Sequence, residues 1–166
     1  LSNYDGERMV QATNILRELK CPFVINQNRY SIFDRTIEKN GLFDKAKQEK
    51  KGVIIFSPLA QGLLTDRYIK NIPEDSRIRT SGIYLKETAL TEETLEKIRA
   101  LNKIAKERGE SLAQMALAWV LRREEVTSVL IGASKPSQIL DNLKAINSDS
   151  FSKEELENKL QKADRK

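Results

Sequence analysis

Apolar runs of four residues or fewer alternate along this chain with longer stretches whose apolar residues recur at helical spacing, and this alternation limits the folds open to it. The runs are Phe23-Val24-Ile25, Val53-Ile54-Ile55-Phe56 and Val129-Leu130-Ile131. Each is rich in β-branched residues and bounded by polar or Gly/Pro punctuation, which predicts short strands buried on both faces, as in a parallel sheet. Between them, Met9, Ala12, Leu16 and Leu19 share one face of a helix opening near Asp5-Gly6. Leu42, Phe43 and Ala46 begin a shorter helix expected to stop before Gly52. Leu95, Ile98, Leu101 and Ile104 define a third, with Glu92 and Glu93 in the first turn, where they suit the dipole, and Gly109 at its end. Ser111 and Gln114 form a capping box for a fourth, whose core face is Leu112, Met115, Ala116, Trp119 and Val120. Pro136 opens the last, expected to bury Ile139, Leu140, Leu143 and Ile146. A further acidic helix start lies near Ser152–Glu155.

Leu1-Ser2-Asn3 has the look of the tail of a strand, so the order is strand end, helix, strand, helix, strand, long loop, two helices, strand, helix. Right-handed crossovers turn this order into an α/β arrangement of about four βα units with parallel strands. Four units make half of a (β/α)8 TIM barrel, and a closed barrel needs roughly 250 residues. The expectation is a single domain, residues 1–166, forming a half-barrel. Such a half cannot close on itself, so its open strand edges should pair with the other half of the barrel or with a second copy, giving a possible homo-oligomer. An opening on Leu1 rather than Met also fits a fragment.

Composition removes whole classes of chemistry. There is no histidine, which excludes a Ser-His-Asp triad, a Cys-His pair and an HExxH zinc site within the chain. The single cysteine, Cys21, permits no internal disulfide and no thiol-rich metal site; no metal is expected. No stretch approaches the roughly 18–20 apolar residues of a membrane span, and Asp5, Glu7 and Arg8 argue against a signal peptide. A cytoplasmic protein without membrane partners is expected. Net charge is 29 − 24 = +5, but basic residues alternate with acidic ones outside Lys45–Lys51, so no nucleic-acid partner is expected. Tyr30, Tyr68 and Tyr84 could act as acids in principle, yet none has a visible partner that would lower its pKa of about 10.

Ligands of βα folds meet the loops that follow the strands. Here these are Ser2-Asn3, Asn26–Asn28, the segment from Phe56 to Arg79, and Gly132–Gln138. Gly132-Ala133-Ser134-Lys135-Pro136 joins small residues, a hydroxyl and a cation to a helix start, which reads either as an anion site or as an ordinary turn capped by Ser134. Ser57–Tyr68 is apolar for a surface loop, and it is either a buried turn or a close-approach loop at Gly62, with Arg67 and Arg77 as phosphate partners. Residues 65–90 lack periodicity, a length of loop that is usually functional or mobile. Neither GxGxxG nor a P-loop occurs, which disfavours a Rossmann site or a Walker-type NTPase.

Taken together, Ser2-Asn3-Tyr4, Asn26-Gln27-Asn28-Arg29-Tyr30-Ser31, Phe56–Tyr68 and Ile131-Gly132-Ala133-Ser134 resemble the C-terminal half of an aldo-keto reductase. Within that family the likeness is to the bacterial L-glyceraldehyde 3-phosphate reductase group and to the potassium-channel β subunits, and it runs from Leu1 to about Phe151. The resemblance implies that Ser2, Asn3 and Gln27 hold a nicotinamide carboxamide and that Phe56 stacks on its ring, where relatives often carry Tyr or Trp. It places Ser57, Leu59, Gly62, Arg67 and Arg77 along the pyrophosphate, and Gly132, Ser134, Lys135, Gln138, Asp141 and Asn142 at the adenosine end. Many relatives bind a 2′-phosphate with Lys and Arg where Gly132 and Gln138 stand here, and Lys135 is the only nearby cation; NADP is still the cofactor the likeness favours over NAD. The family's Asp, Tyr, Lys and His proton-transfer set belongs to the first four βα units, so no catalytic residue is expected in this chain. The implied function is the cofactor-binding part of an NADP-dependent reductase of small aldehydes or ketones, inactive by itself. The alternative is a non-catalytic nucleotide-binding regulatory subunit resembling the channel β subunits.

Overall fold

Hydrogen-bonded pairing settles which residues of each apolar run become strand. The computed structural model describes residues 1–68 and 90–160. Its sheet has three parallel strands in the order β1 (Ile25–Arg29), β2 (Gly52–Phe56) and β3 (Val126–Val129). A parallel bridge from Ser2 to Gln27 adds the end of a further strand outside β1. In register, Gln27 pairs with Ile54 and Arg29 with Phe56. Between β2 and β3 the register slips after Val53, where Thr127 is the extra residue, and pairing resumes with Ile54 opposite Ser128. Alternation sends Asn26, Asn28, Val53, Ile55 and Val126 to a buried face. Burying Val53 and Ile55 contributes about 1.5–3 kcal/mol each.

The chain forms two compact units, one of Leu1–Pro58 with Trp119–Gly132, the other within Leu59–Ala118 and Ala133–Ala163. The first holds the sheet with α1 (Gly6–Glu18), α2 (Thr36–Lys39) and α3 (Leu42–Gln48). The second holds α4 (Glu92–Glu107), most of α5 (Leu112–Leu121) and α6 (Pro136–Leu143). Met9, Leu42, Phe43, Ala46 and Trp119 are core residues of the first unit; Ile98, Leu101, Leu112, Met115 and Ala116 are buried in the second.

Helix starts follow sequence chemistry closely. The Asp5 carboxylate accepts from the Arg8 N–H at 2.8 Å and Thr91 Oγ1 accepts from the Thr94 N–H at 3.2 Å. Ser111 and Gln114 exchange hydrogen bonds of 3.2 and 3.0 Å as a full capping box. Three helix ends close in the same paired pattern, in which the residue past the cap turns left-handed. For α1 the Lys20 N–H bonds Arg17 O at 3.0 Å and Cys21 N–H bonds Leu16 O at 2.8 Å. For α3 the bonds are Lys50 to Lys47 and Lys51 to Ala46; for α4, Gly109 to Lys106 and Glu110 to Ala105. Only α4 places glycine at the left-handed position; Lys20 (φ 54°) and Lys50 (φ 52°) fill it elsewhere.

Several expectations need correction. The first strand lies at Ile25–Arg29 rather than over Phe23-Val24-Ile25, and Val24 is 75% exposed, because the backbone partners available from Leu1 and Asn3 reach Gln27. The third lies at Val126–Val129 rather than Val129–Ile131; only the Leu130 N–H extends the pairing, to Ile55 O at 2.7 Å. The strands are buried on one face, not both, since Ile25, Arg29, Thr127 and Ser128 are exposed. The stop of α3 is the left-handed Lys50, and Gly52 opens β2 where a side chain would meet Thr127 Oγ1 at 2.7 Å. Leu19, expected on the core face of α1, is its C-cap residue and is 68% exposed. On α6 the apolar face is out: Leu140 is 67% exposed, Ile139 and Leu143 are also exposed, Ile146 in the 3-10 turn that follows (Lys144–Asn147) is 70% exposed, and the helix buries Asn142. An amphipathic pattern marks the face that could be covered, and among the described residues nothing covers this one. Cys21, set before a strand expected to be buried, is exposed.

Gly6 lies at a close approach of α1 to the start of α3, because a Cβ there would lie 2.5 Å from Gly41 O and 2.7 Å from Gly41 C. Gly6→Ala should therefore force α1 from the start of α3 and destabilise by about 1–3 kcal/mol in urea unfolding. Lys20→Gly and Lys50→Gly should act in the opposite direction, each raising stability by about 0.5–1 kcal/mol through relief of left-handed strain. Unchanged midpoints for both lysine variants would contradict the strain argument.

Candidate functional site

At the outer edge of β1, Ser2, Asn3 and Gln27 are brought together by backbone pairing. The Gln27 N–H donates to Leu1 O and the Asn3 N–H to Gln27 O, both at 2.8 Å. Asn3 adopts φ 60°, and its side-chain Nδ2 donates to Ser2 Oγ at 3.2 Å. The Gln27 side-chain amide makes no hydrogen bond among the described residues and is half-buried on the sheet face opposite Val53 and Ile55. Phe56 closes β2 on that same face, in register with Arg29, whose guanidinium lies 5.7 Å from the ring centroid. Ser57 follows with φ 54°. The donor set is thus a hydroxyl and two carboxamides beside a flat ring, which suits a carboxamide-bearing aromatic ligand: amides supply both donor and acceptor, and the ring supplies a stacking surface. Gly132 lies exposed beyond β3 in the same unit.

The remaining expected residues belong to the second unit. Leu59 O accepts from the Gly62 N–H at 2.9 Å and the Leu64 N–H at 3.1 Å, folding a tight turn through left-handed Ala60 (φ 48°), Gln61 (φ 61°) and Gly62 (φ 98°). Gly62 faces the Tyr68 ring, and Arg67 sits half-buried in the following turn, Asp66–Tyr68. Left-handed non-glycine residues cost energy and persist where surrounding contacts impose them, often at ligand sites. Gln138 Oε1 gathers the Ser134 N–H at 2.8 Å, the Ser134 hydroxyl at 3.2 Å and the Lys135 N–H at 3.3 Å. Gln138 rather than Ser134 therefore caps the start of α6. Asp141 accepts from Gln114 Nε2 at 2.6 Å, from Ser111 Oγ at 3.3 Å and from Lys144 Nζ at 3.3 Å, tying α6 to the start of α5. Asn142 is buried. Arg77, and most of the loop expected over 65–90, lie outside the described residues.

Sequence reasoning missed two features around β1. Arg29 is one; its signal was the two-residue step from Gln27, which puts both on one sheet face. The other is a charge cluster at the strand's end. The buried Tyr30 hydroxyl donates to Glu38, which also accepts from Arg35 Nε at 2.8 Å, Arg35 Nη2 at 2.6 Å and Arg122 Nη2 at 3.3 Å. The Arg122 and Arg35 guanidiniums lie 3.7 and 5.4 Å from the Trp119 ring centroid. Tyr30 packs 5.0 Å from Trp119 and edge-on to Phe43 at 5.4 Å. Glu38 and Arg122 are 84 positions apart, so no local pattern announces the pair. Burial pushes the Tyr30 phenol well above its ordinary range, with the Arg122 charge opposing and Glu38 reinforcing, so Tyr30 stays a proton-bearing structural hydroxyl. For Glu38, burial disfavours the charge, but hydrogen bonds from Arg35 and Tyr30 and the two arginine charges outweigh it and hold the carboxyl below its usual range.

The described residues contain no cluster of His, Cys, Asp and Glu suited to a metal and no helix long and apolar enough to cross a membrane. The sequence matches the aldo/keto reductase family over residues 1–164, and the chain belongs to that family. It is 45% identical over 159 residues to the L-glyceraldehyde 3-phosphate reductase of Escherichia coli O157:H7, covering 94% of this chain and 46% of the relative. A probable voltage-gated potassium channel subunit beta of Oryza sativa subsp. japonica is 34% identical over 149 residues, covering 88% and 45%. Among solved structures, a thermostable aldo-keto reductase crystallised with the inhibitor epalrestat superposes with TM-score 0.66 at 25% identity, over 98% of this chain and 46% of that one. The fold class is therefore α/β, part of a (β/α)8 barrel. The chain spans about half the length of the relatives it matches.

Because Glu38 ionises more easily folded than at its free value of 4.5, its contribution is present above about pH 4.5 and is lost as pH falls through the folded value. Glu38→Gln should lower stability at pH 7 by about 2–4 kcal/mol by stranding the two arginines. The gap from wild type should narrow as pH falls below about 4.5 in denaturant titrations; a pH-independent gap would rule out this electrostatic origin.

Proposed function

We propose that this chain is the dinucleotide-holding part of an NADP-dependent reductase of small aldehydes or ketones. The observation that carries the reading is the backbone pairing that sets Ser2 and Asn3 beside Gln27, whose sheet face also presents Phe56 at the end of the neighbouring strand. In this reading Gln27 and Asn3 grip the carboxamide, Ser2 orients Asn3, and Phe56 carries the nicotinamide ring. When bound, the cofactor supplies hydride to the substrate carbonyl. Ser57, Leu59, Gly62, Arg67 and Arg77 are proposed to line the pyrophosphate, and Gly132, Ser134, Lys135, Gln138, Asp141 and Asn142 the adenosine end. The left-handed Ser57, Gln61 and Gly62 support the middle of this assignment, since such turns expose backbone N–H groups to anions.

The proton donor is proposed to come from the N-terminal half of the same barrel, which the chain would meet along its strand edges and exposed apolar faces, Val24 and Leu140 among them. Those same surfaces support self-association when that half is missing. The alternative, a non-catalytic nucleotide-binding subunit, rests on the 34% identity to a potassium channel subunit beta; the 45% identity to a reductase, over a larger share of the chain, favours the enzyme.

Equilibrium binding followed by NADPH fluorescence should show saturable association with the chain, weakened about tenfold or more by Gln27→Ala through an unpaired carboxamide. Absence of binding at millimolar cofactor would overturn the assignment. Turnover of a small aldehyde with NADPH should be undetectable with the chain alone; rates typical of intact reductases would show that the proton donor lies within it.

A further inference from the structure

The cation beside the proposed ring platform has no role in that reading. Arg29 occupies the last position of β1, two residues beyond Gln27 and in register with Phe56, so all three side chains lie on one sheet face. Its guanidinium stands 5.7 Å from the Phe56 ring centroid, is exposed, and has no carboxylate partner among the described residues. A strand-end arginine left without a counter-ion usually turns to solvent, whereas this one is held against an aromatic face by attraction to the ring quadrupole.

A nicotinamide ring is neutral when reduced and carries one positive charge when oxidised. Stacked on Phe56 at an ordinary aromatic separation of roughly 4.5–7 Å, it lies no more than about 13 Å from the Arg29 charge even on the far face, a distance over which the charge is still felt at low salt and screened at high salt. The guanidinium therefore repels the oxidised ring and leaves the reduced one unaffected. We infer that Arg29 is a selector of cofactor redox state, weakening the hold on the oxidised dinucleotide relative to the reduced one. This rests on the placement of nicotinamide at Phe56 proposed above, and adds to it a direction: the site favours loading the hydride donor and releasing its product.

The test is calorimetric titration of the 166-residue chain with NADPH and with NADP⁺, taking the ratio of the two dissociation constants so that phosphate contacts cancel. The reduced form should bind more tightly. Arg29→Met and Arg29→Gln should each narrow the ratio by about three- to tenfold, mostly through tighter binding of NADP⁺. Arg29→Lys, which keeps the charge and loses the planar group, should preserve the ratio within about twofold, and the wild-type ratio should shrink as salt is raised. Both forms binding with an unchanged ratio in the neutral variants would overturn the selector role and leave the dinucleotide site standing. A lysine variant that behaves like the methionine variant would assign the effect to ring positioning and likewise overturn it. Failure of wild type to bind either form would remove the dinucleotide reading itself, and this inference with it.

Discussion

Strand register is the constraint on which the other features depend. With a side-chain period of two, the pairing of Gln27 with Ile54 and of Arg29 with Phe56 decides that Asn26, Asn28, Val53 and Ile55 turn to the buried side while Gln27, Arg29 and Phe56 share the other. A slip of β1 by one residue would bury the Gln27 carboxamide and the Arg29 guanidinium in place of Asn26 and Asn28, and a slip of β2 would expose Val53 and Ile55. Register in turn is held at the outer edge by the Leu1 and Asn3 hydrogen bonds to Gln27, so the residues proposed to grip a ligand also help fix the strand that presents them.

Backbone strain gathers where the strands end. Asn3, Ser57, Ala60, Gln61 and Gly62 all adopt left-handed conformations just past the Ser2 bridge and β2. Lys20 and Lys50 share that conformation for a different reason, since they terminate helices. The two groups differ in what compensates the strain: closed helix-end hydrogen bonds for the lysines, and tight loop turns next to candidate ligand positions for the others.

Charge is organised on the same plan. Glu38 with Arg35 and Arg122 anchors the turn after β1 against Trp119, and Arg108 with Glu110 and Glu155 anchors the C-terminal segment of the second unit. In the latter, burial disfavours the Arg108 charge but the two carboxylates outweigh it, while Arg108 also lies 4.1 Å from the Phe151 ring centroid. Arg29 stands apart from both clusters in lacking an acidic partner among the described residues.

Local chemistry written in the amino-acid order was enough to place α1, α4, α5 and α6, the capping box at Ser111, the βα alternation and the kinship signalled by Gln27, Phe56 and Gly132-Ala133-Ser134. These depend on contacts within a few residues or on motif spacing, both visible in one dimension. Tertiary structure alone decided that β1 runs through Asn26-Gln27-Asn28 instead of Phe23-Val24-Ile25, that Lys50 ends α3, that the apolar face of α6 lies exposed, and that Glu38 meets Arg122. Strand position answers to the hydrogen-bond partners a neighbouring segment offers, and exposure answers to what else is present to cover a face. Neither property belongs to a segment by itself, which is why polar Asn26 and Asn28 are buried in the sheet while aliphatic Val24 faces solvent.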